Sequence, residues 1–448
     1  RIAKSNLKTS DYHYRYRQIQ GKLRIGGKFF SFPAGPAQSD QDKMMDHRIE
    51  QDGISPTMLT RTEFPGALES TYLSSCMRGL MPASGRKALD RHLDSLVTGR
   101  TDKAGLFDLM EETRSRFAGL VNADADEIAF TKNVSEGLNI IAASMPWQAG
   151  DNVVVTLGLE HPNNVFPWLN QKERTGIEVR IVPERDGHID IDAMIAAIDD
   201  KTRLVTMPTV TFSPGFRADT RKIGAFCRER DIFLLVDAVQ SVGVLNCDVQ
   251  DMIVDGFAVS TQKGLCGLYG MGFLYCRREW ADRMTPAYLA RFGVNLGGGA
   301  SEAATATLGY DLMPGARRFD LGNYNYPAAA VVHESLGILA DIGMAEVERH
   351  VTSLSCAFAD RMLALGLPVM GGPSGPHLAS IVSIGHLAEG HDSTSDSDIQ
   401  ALSDHLTAHD VIHSIRRGMM RFAFHIYNTT ADIDRVESLV RDWQSSRS

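Results

Sequence analysis

The sequence predicts an α/β fold built on a mostly parallel sheet. Three observations carry this. From residue 127 onward, short β-rich apolar runs alternate with helical segments, the order that builds a parallel sheet covered on both faces. The runs themselves are nearly unbroken in Val, Ile, Leu and Phe, as strands buried on both sides must be. The chain has 448 residues, 43% hydrophobic and 23% charged, which suffices for a large core and more than one domain.

Residues 1–60 read as a basic extension and linker. Residues 1–30 hold eight Lys or Arg against one acid, Asp11, with Tyr12, Tyr14 and Tyr16 interleaved. Residues 31–60 are rich in Pro, Gly, Ser, Asp and Gln, a linker composition. A large domain is expected over 61–327, its first 40 or so residues packing with a smaller α+β domain over 328–448. Within the large domain, strands are predicted at Glu127–Thr131, Asn152–Thr156, Val179–Val182, Arg203–Met207, Ile232–Val236, Gly256–Val259 and Gly272–Cys276. A helix over Asn133–Ser144 opens on N-x-x-E, a start resembling a capping box. A second helix over Thr220–Arg230 carries the apolar stripe Ile223, Phe226 and Cys227. A weaker strand signal lies at Ile381–Ile384 in the helix-rich remainder.

Composition also narrows the function. A net charge of −9 gives no support for wholesale nucleic-acid binding. No apolar stretch approaches a membrane span. The six cysteines are scattered without C-x-x-C spacing, which predicts neither a zinc site nor a disulfide framework and suits a reducing cytoplasm.

Two strand ends carry the chemistry. The run I-F-L-L-V ends at Asp237, and F-A-V leads to Ser260 and then Lys263. Open α/β sheets bind ligands at the carboxyl ends of their strands. A lone Asp there reads as a helix cap, and a lone Lys as a solvated loop residue. Together they suit pyridoxal phosphate (PLP), which needs a lysine for its Schiff base and an acid for its pyridinium nitrogen. Gln240 is placed to hydrogen-bond the ring hydroxyl. The segment T-K-N-V-S-E-G puts backbone N–H groups at a helix start, an anion site by dipole and unpaired donors.

At these residues the chain resembles the class V aminotransferase family, from about Tyr72 to Val440. Cysteine desulfurases and isopenicillin N epimerase are among that family's members. The resemblance implies PLP fold type I. It implies phosphate contacts from Val134, Ser135 and Ser260, and a ring stacked under His161 of L-E-H-P-N-N. It places Gln262 and Lys263 at the cofactor, and Arg421 of R-F-A-F-H-I-Y-N-T on the substrate carboxylate, where a bidentate fork fixes position and plane. Arg416 and Arg417 are read as decoys beside it. The loop R-R-F-D-L-G-N-Y-N-Y-P resembles one that reaches a neighbouring subunit's phosphate, so Asn323 implies a homodimer with shared sites. Asn323 follows Gly322 where Thr is usual. Arg78, in Y-L-S-S-C-M-R-G-L-M-P, is a candidate second anion-binder.

The chain departs from the desulfurases in two respects. No cysteine follows Cys356, so the mobile loop before Arg421 lacks the attacking thiol. Gln262 also replaces the His commonly found before the lysine. A persulfide-forming desulfurase is therefore not expected. An aminotransferase or a C–S β-elimination lyase is, with an epimerase of the same family as the alternative. A non-catalytic PLP-binding regulator with a DNA-binding arm is the alternative of another class. It calls for a helix-turn-helix ahead of residue 60, and residues 1–60 show no convincing pair of amphipathic helices.

Overall fold

Seven short strands, all but one of them buried along most of their length, form the central sheet of the computed structural model, which describes residues 23–25, 28–30, 60–296, 309–388 and 392–447. In chain order they are β1 Ile128–Thr131, β2 Asn152–Thr156, β3 Glu178–Val182, β4 Thr202–Pro208, β5 Phe233–Asp237, β6 Gly256–Ser260 and β7 Gly272–Cys276. Their order across the sheet is β1-β7-β6-β5-β4-β2-β3. The pairs from β3 to β6 are parallel, and β7 runs antiparallel to both its neighbours. This is the predicted α/β class, with each predicted strand found within a residue or so of its expected bounds.

Burial explains why the runs are apolar without alternation. Leu234, Leu235, Val236, Phe257, Ala258 and Val259 are all fully buried, because helices cover both faces. Each such side chain contributes about 1.5–3 kcal/mol on leaving water. Only β3, at the sheet edge, shows exposed positions.

The helices that matter to the site are α1 Ala83–Val97, α2 Lys103–Leu120, α3 Val134–Ser144 and, later, α4 Tyr326–Ile342. Helix α3 starts at Asn133, whose side chain accepts from Glu136 N–H at 3.0 Å. The reciprocal arm of the cap is shifted: Glu136 accepts from the N–H of Lys132 rather than of Asn133. Helix α4 packs against α1 and α2.

A three-stranded antiparallel sheet follows, from β8 Ile381–Ile384, β9 Ser414–Arg416 and β10 Met419–Ala423, in the order β8-β10-β9. The early segment joins this region. Thr71–Tyr72 pairs in parallel with Val411–Ile412, and Ser74 bridges to Ala423.

Residues Pro56–Ser448 form one compact unit and Arg1–Ser55 another. In the latter, Leu23–Ile25 and Lys28–Phe30 pair antiparallel. The rest of the basic extension, and all but the last residue of the linker expected over 31–60, lie outside the described residues. Among the described residues no single helix is long and apolar enough to cross a membrane.

Candidate active site

Strands β5 and β6 are parallel neighbours, with Asp237 paired to Ala258. Their carboxyl ends therefore open on the same edge of the sheet. A cavity of about 310 Å³ lies there, lined by Asp237, Ser260, Gln262 and Lys263. Val134 and Ser135 close it from the start of α3, and His161 and Phe212 from the loops after β2 and β4. Val134, Ser135, His161, Asp237, Ser260, Gln262 and Lys263, seven of the expected cofactor residues, thus converge on one cavity from distant parts of the chain.

Asp237 is the electrostatic centre. One carboxylate oxygen accepts from Val239 N–H at 3.0 Å, and the group makes no other hydrogen bond among the described residues. Burial pushes its carboxyl up to about 6; the Val239 N–H and the Lys263 charge pull the other way. The Lys263 side chain makes no hydrogen bond or ion pair among the described residues. Burial pushes its ammonium below the usual lysine range, while Asp237 favours the charge. Desolvation thus favours the neutral amine that a nucleophile must be.

The phosphate end is built from α3. Ser260 Oγ accepts from Val134 N–H at 2.8 Å, so these two expected ligands touch each other. Helix α3 aims its N-terminal dipole at the cavity.

His161 lines the cavity and caps the short turn Pro162–Asn164; its Nδ1 accepts from Asn163 N–H at 3.2 Å. Its ring stands edge-on to Phe212, 5.0 Å between centroids. Gln240 is buried beside Asp237 and Lys263 in a narrow adjoining recess. Its Nε2 donates to Cys76 carbonyl oxygen at 3.1 Å.

The opening motif is held against the lysine loop. Gly79 N–H donates to Gln262 carbonyl oxygen at 2.8 Å. A Cβ on Gly79 would fall 2.2 Å from the Lys263 carbonyl oxygen, so only glycine fits. This packing turns Cys76 and Met77 into the cavity. Arg78 is exposed and does not line it.

Arg421 is fully buried, yet among the described residues no carboxylate lies within ion-pair distance. Its Nη1 donates to Phe212 carbonyl oxygen at 2.5 Å, and Nη2 to Met77 Sδ and Ser414 Oγ, each at 3.4 Å. Its Nε is buried without a partner, and burial pushes the guanidinium below its usual range. Arg421 sits behind Met77 and Phe212, whereas Arg416, read from sequence as a decoy, lines the cavity. Arg417 turns away and donates to Gly158 carbonyl oxygen.

Asn323 is not on this cavity. It lies on a second one, of about 410 Å³, with Thr131, Lys132, Gly322 and Tyr324. Gly270 borders both cavities. Gly322 and Asn323 take φ of 101° and 46°, a left-handed turn that explains the Gly-Asn pair.

Sequence reasoning missed Glu160, Phe212, Met77 and Arg416. Glu160 precedes His161, is buried, and accepts from Asn164 Nδ2 at 2.7 Å. Burial, then the Asp237 charge, holds its carboxyl well above the usual range. Arg416 had a readable signal. Arg417–Gly418 is a two-residue loop with φ of 48° and 84°, the signature of a tight hairpin.

The arrangement fits PLP. A lysine whose side chain has no partner among the described residues shares the cavity with a buried acid, and a helix N-terminus closes the far end. Fold and site together define a PLP enzyme of the α/β class. The chain belongs to the aminotransferase class-V family, whose model matches residues 97–436. It is 30% identical over 335 residues to a probable cysteine desulfurase of Methanothermobacter thermautotrophicus, covering 72% of this chain and 81% of that one. It is 32% identical over 337 residues to an uncharacterized aminotransferase of Schizosaccharomyces pombe, covering 74% and 81%. Its fold is similar to the apo cysteine desulfurase of Thermococcus onnurineus, with a TM-score of 0.73 and 23% identity over 86% of this chain and 96% of that one. It is also similar to a C-DES mutant with glycine covalently linked to its PLP cofactor, with a TM-score of 0.75 and 22% identity over 85% and 99%.

Proposed function

We propose that this PLP-dependent enzyme acts at Cα of an α-amino acid, as an aminotransferase or a C–S lyase. The observation that carries the proposal is the pairing of Asp237 and Lys263 on adjacent strand ends across one cavity. Bound PLP supplies an electron sink for the pair left at Cα when its proton is removed. Asp237 holds the ring nitrogen protonated. Val134, Ser135 and Ser260 hold the phosphate, and His161 lies against the ring. Lys263 takes the Cα proton, and its lowered basicity suits a group that must also give it back. Arg421 holds the α-carboxylate; its buried, uncompensated charge supports this role. With the group bound, the same residues would serve transamination or, for a substrate with a sulfur leaving group at Cβ, elimination. Every cysteine is a free thiol and none follows Cys356, which favours these routes over one that parks sulfur on a loop cysteine.

The same proposal includes a homodimer in which Asn323 of one subunit nears the phosphate held by the other, working in the reducing cytoplasm. The experiment is an amino-acid panel fed to purified protein, scoring oxo acid, ammonia, sulfide and enantiomer change separately. Oxo acid, or ammonia with sulfide, is expected. Binding of PLP with no turnover of any amino acid would contradict the proposal.

A further inference from the structure

Arg416 and Arg421 share one face of a hairpin. Arg416 pairs with Met419 across β9 and β10, and Arg421 with Ser414. Cross-strand partners point the same way and alternate residues share a face. The two guanidinium groups are therefore diagonal neighbours. They meet on a single atom: Met77 Sδ accepts from Arg416 Nη2 at 3.0 Å and from Arg421 Nη2 at 3.4 Å. A thioether is a weak acceptor, and two like charges so close repel. One guanidinium suffices for an α-carboxylate, so the second calls for another explanation.

Arg416 has a carboxylate partner, but an easily replaced one. Its Nη1 pairs with Asp392 Oδ1 at 2.6 Å and also donates to its neighbour Ile415 carbonyl oxygen at 2.7 Å. The Asp392 side chain is 63% exposed, while that of Arg416 is 12% exposed. The pair thus joins a well-hydrated carboxylate to a nearly buried guanidinium. Arg416 Nε is buried without a partner, so the fork is only partly used. A ligand anion entering from the cavity can engage it in two-point fashion, which is the stronger geometry.

We infer that the site takes an α-amino acid whose side chain carries a second anion, a carboxylate or an oxidised-sulfur acid, and that Arg416 binds that anion in place of Asp392. This rests on the Cα reading above and assigns its substrate class. Asp392 is then the chain's own stand-in for the side-chain anion. Arg416 is the specificity-determining residue, and Arg421 keeps the α-carboxylate.

The test compares isosteric pairs on the PLP-loaded enzyme: aspartate with asparagine, glutamate with glutamine, and cysteate as the sulfur acid. Kd is read from the change in cofactor absorbance and, separately, kcat and KM from turnover. Calorimetry with succinate against butyrate gives a readout free of chemistry. The acid of each pair is expected to bind at least about tenfold more tightly, and succinate more tightly than butyrate. Cysteate tighter than both dicarboxylic amino acids points to the sulfur acids, and the reverse to the carboxylates. Arg416→Gln should bring the acid-to-amide ratio to within about threefold of one, chiefly through KM. Asp392→Asn should tighten the acids severalfold. Neutral amino acids binding as well as the acids, or a ratio untouched by Arg416→Gln, overturns the second-anion site alone. Silence toward every amino acid overturns it together with the Cα reading.

Discussion

Asp237 is asked to be ionised where ionisation is costly, and that cost is measurable without cofactor. The folded carboxyl is pushed up to about 6 from an ordinary 3.8. Between these values the folded protein holds a proton the unfolded chain has released. Stability of the cofactor-free protein therefore falls as pH rises through that window, and the loss is complete above about 6. Asp237→Asn should stabilise the cofactor-free protein at pH 8 by about 2–3 kcal/mol, and by nothing near pH 3.5, while abolishing turnover. Denaturant melts at both pH values check it; equal effects at both would contradict the sign. Arg421 gives a second test. Truncation to Ala should raise KM for a proven substrate by a factor corresponding to about 2–5 kcal/mol, with PLP still bound. Replacing all six cysteines by Ser or Ala should leave turnover in a protein that still folds. The placement of Asp237 and Lys263 on one cavity was legible because Asp237 ends one buried run and Lys263 follows the end of the next by three residues. Met77 was not, because its direction depends on a loop docked against the lysine turn; for Arg416 the hairpin turn was readable but the register that aims its side chain was not.

At the scale of elements, the loop bearing Gly322 and Asn323 is fastened to the sheet by a buried ion pair. Arg114 on α2 meets Asp320 at 2.7 Å, both essentially unexposed. Arg114 Nη1 donates to Ile128 carbonyl oxygen at 2.5 Å, and Asp320 Oδ1 accepts from Phe130 N–H at 2.9 Å. Tyr324 hydroxyl donates to the other Asp320 oxygen at 3.0 Å. Strand β1, helix α2 and the loop are thus tied at one point. Asp320→Ala leaves the buried guanidinium with only the partly exposed Glu111 carboxylate, 3.4 Å away, and should cost about 3–5 kcal/mol. Thermal melts check this; a loss under about 1 kcal/mol would mean that water reaches Arg114. The strands were readable because period and composition are local properties. The clamp was not, since Arg114 and Asp320 are far apart in sequence and Arg114 sits in no motif that points to its partner.

For the whole molecule, the sheet order was the least legible property. Alternating strands and helices imply parallel pairing, but the antiparallel β7 between β1 and β6 follows from packing of the complete chain. The proposed subunit arrangement is tested at this scale. A lesion at Ser260 and one at Asn323 would fall on the same composite site from different chains. Mixing two inactive, folded variants should restore activity, because one site in each mixed dimer is intact. Mixed dimers that form yet stay inactive would count against shared sites.

The central claim, that Lys263 carries the cofactor opposite Asp237, has a direct measurement. The PLP-loaded protein is reduced with borohydride, digested and mapped by mass spectrometry. The account predicts the pyridoxyl group on the peptide containing Lys263, and its loss in Lys263→Ala. A pyridoxyl group on any other lysine of the native protein would contradict it.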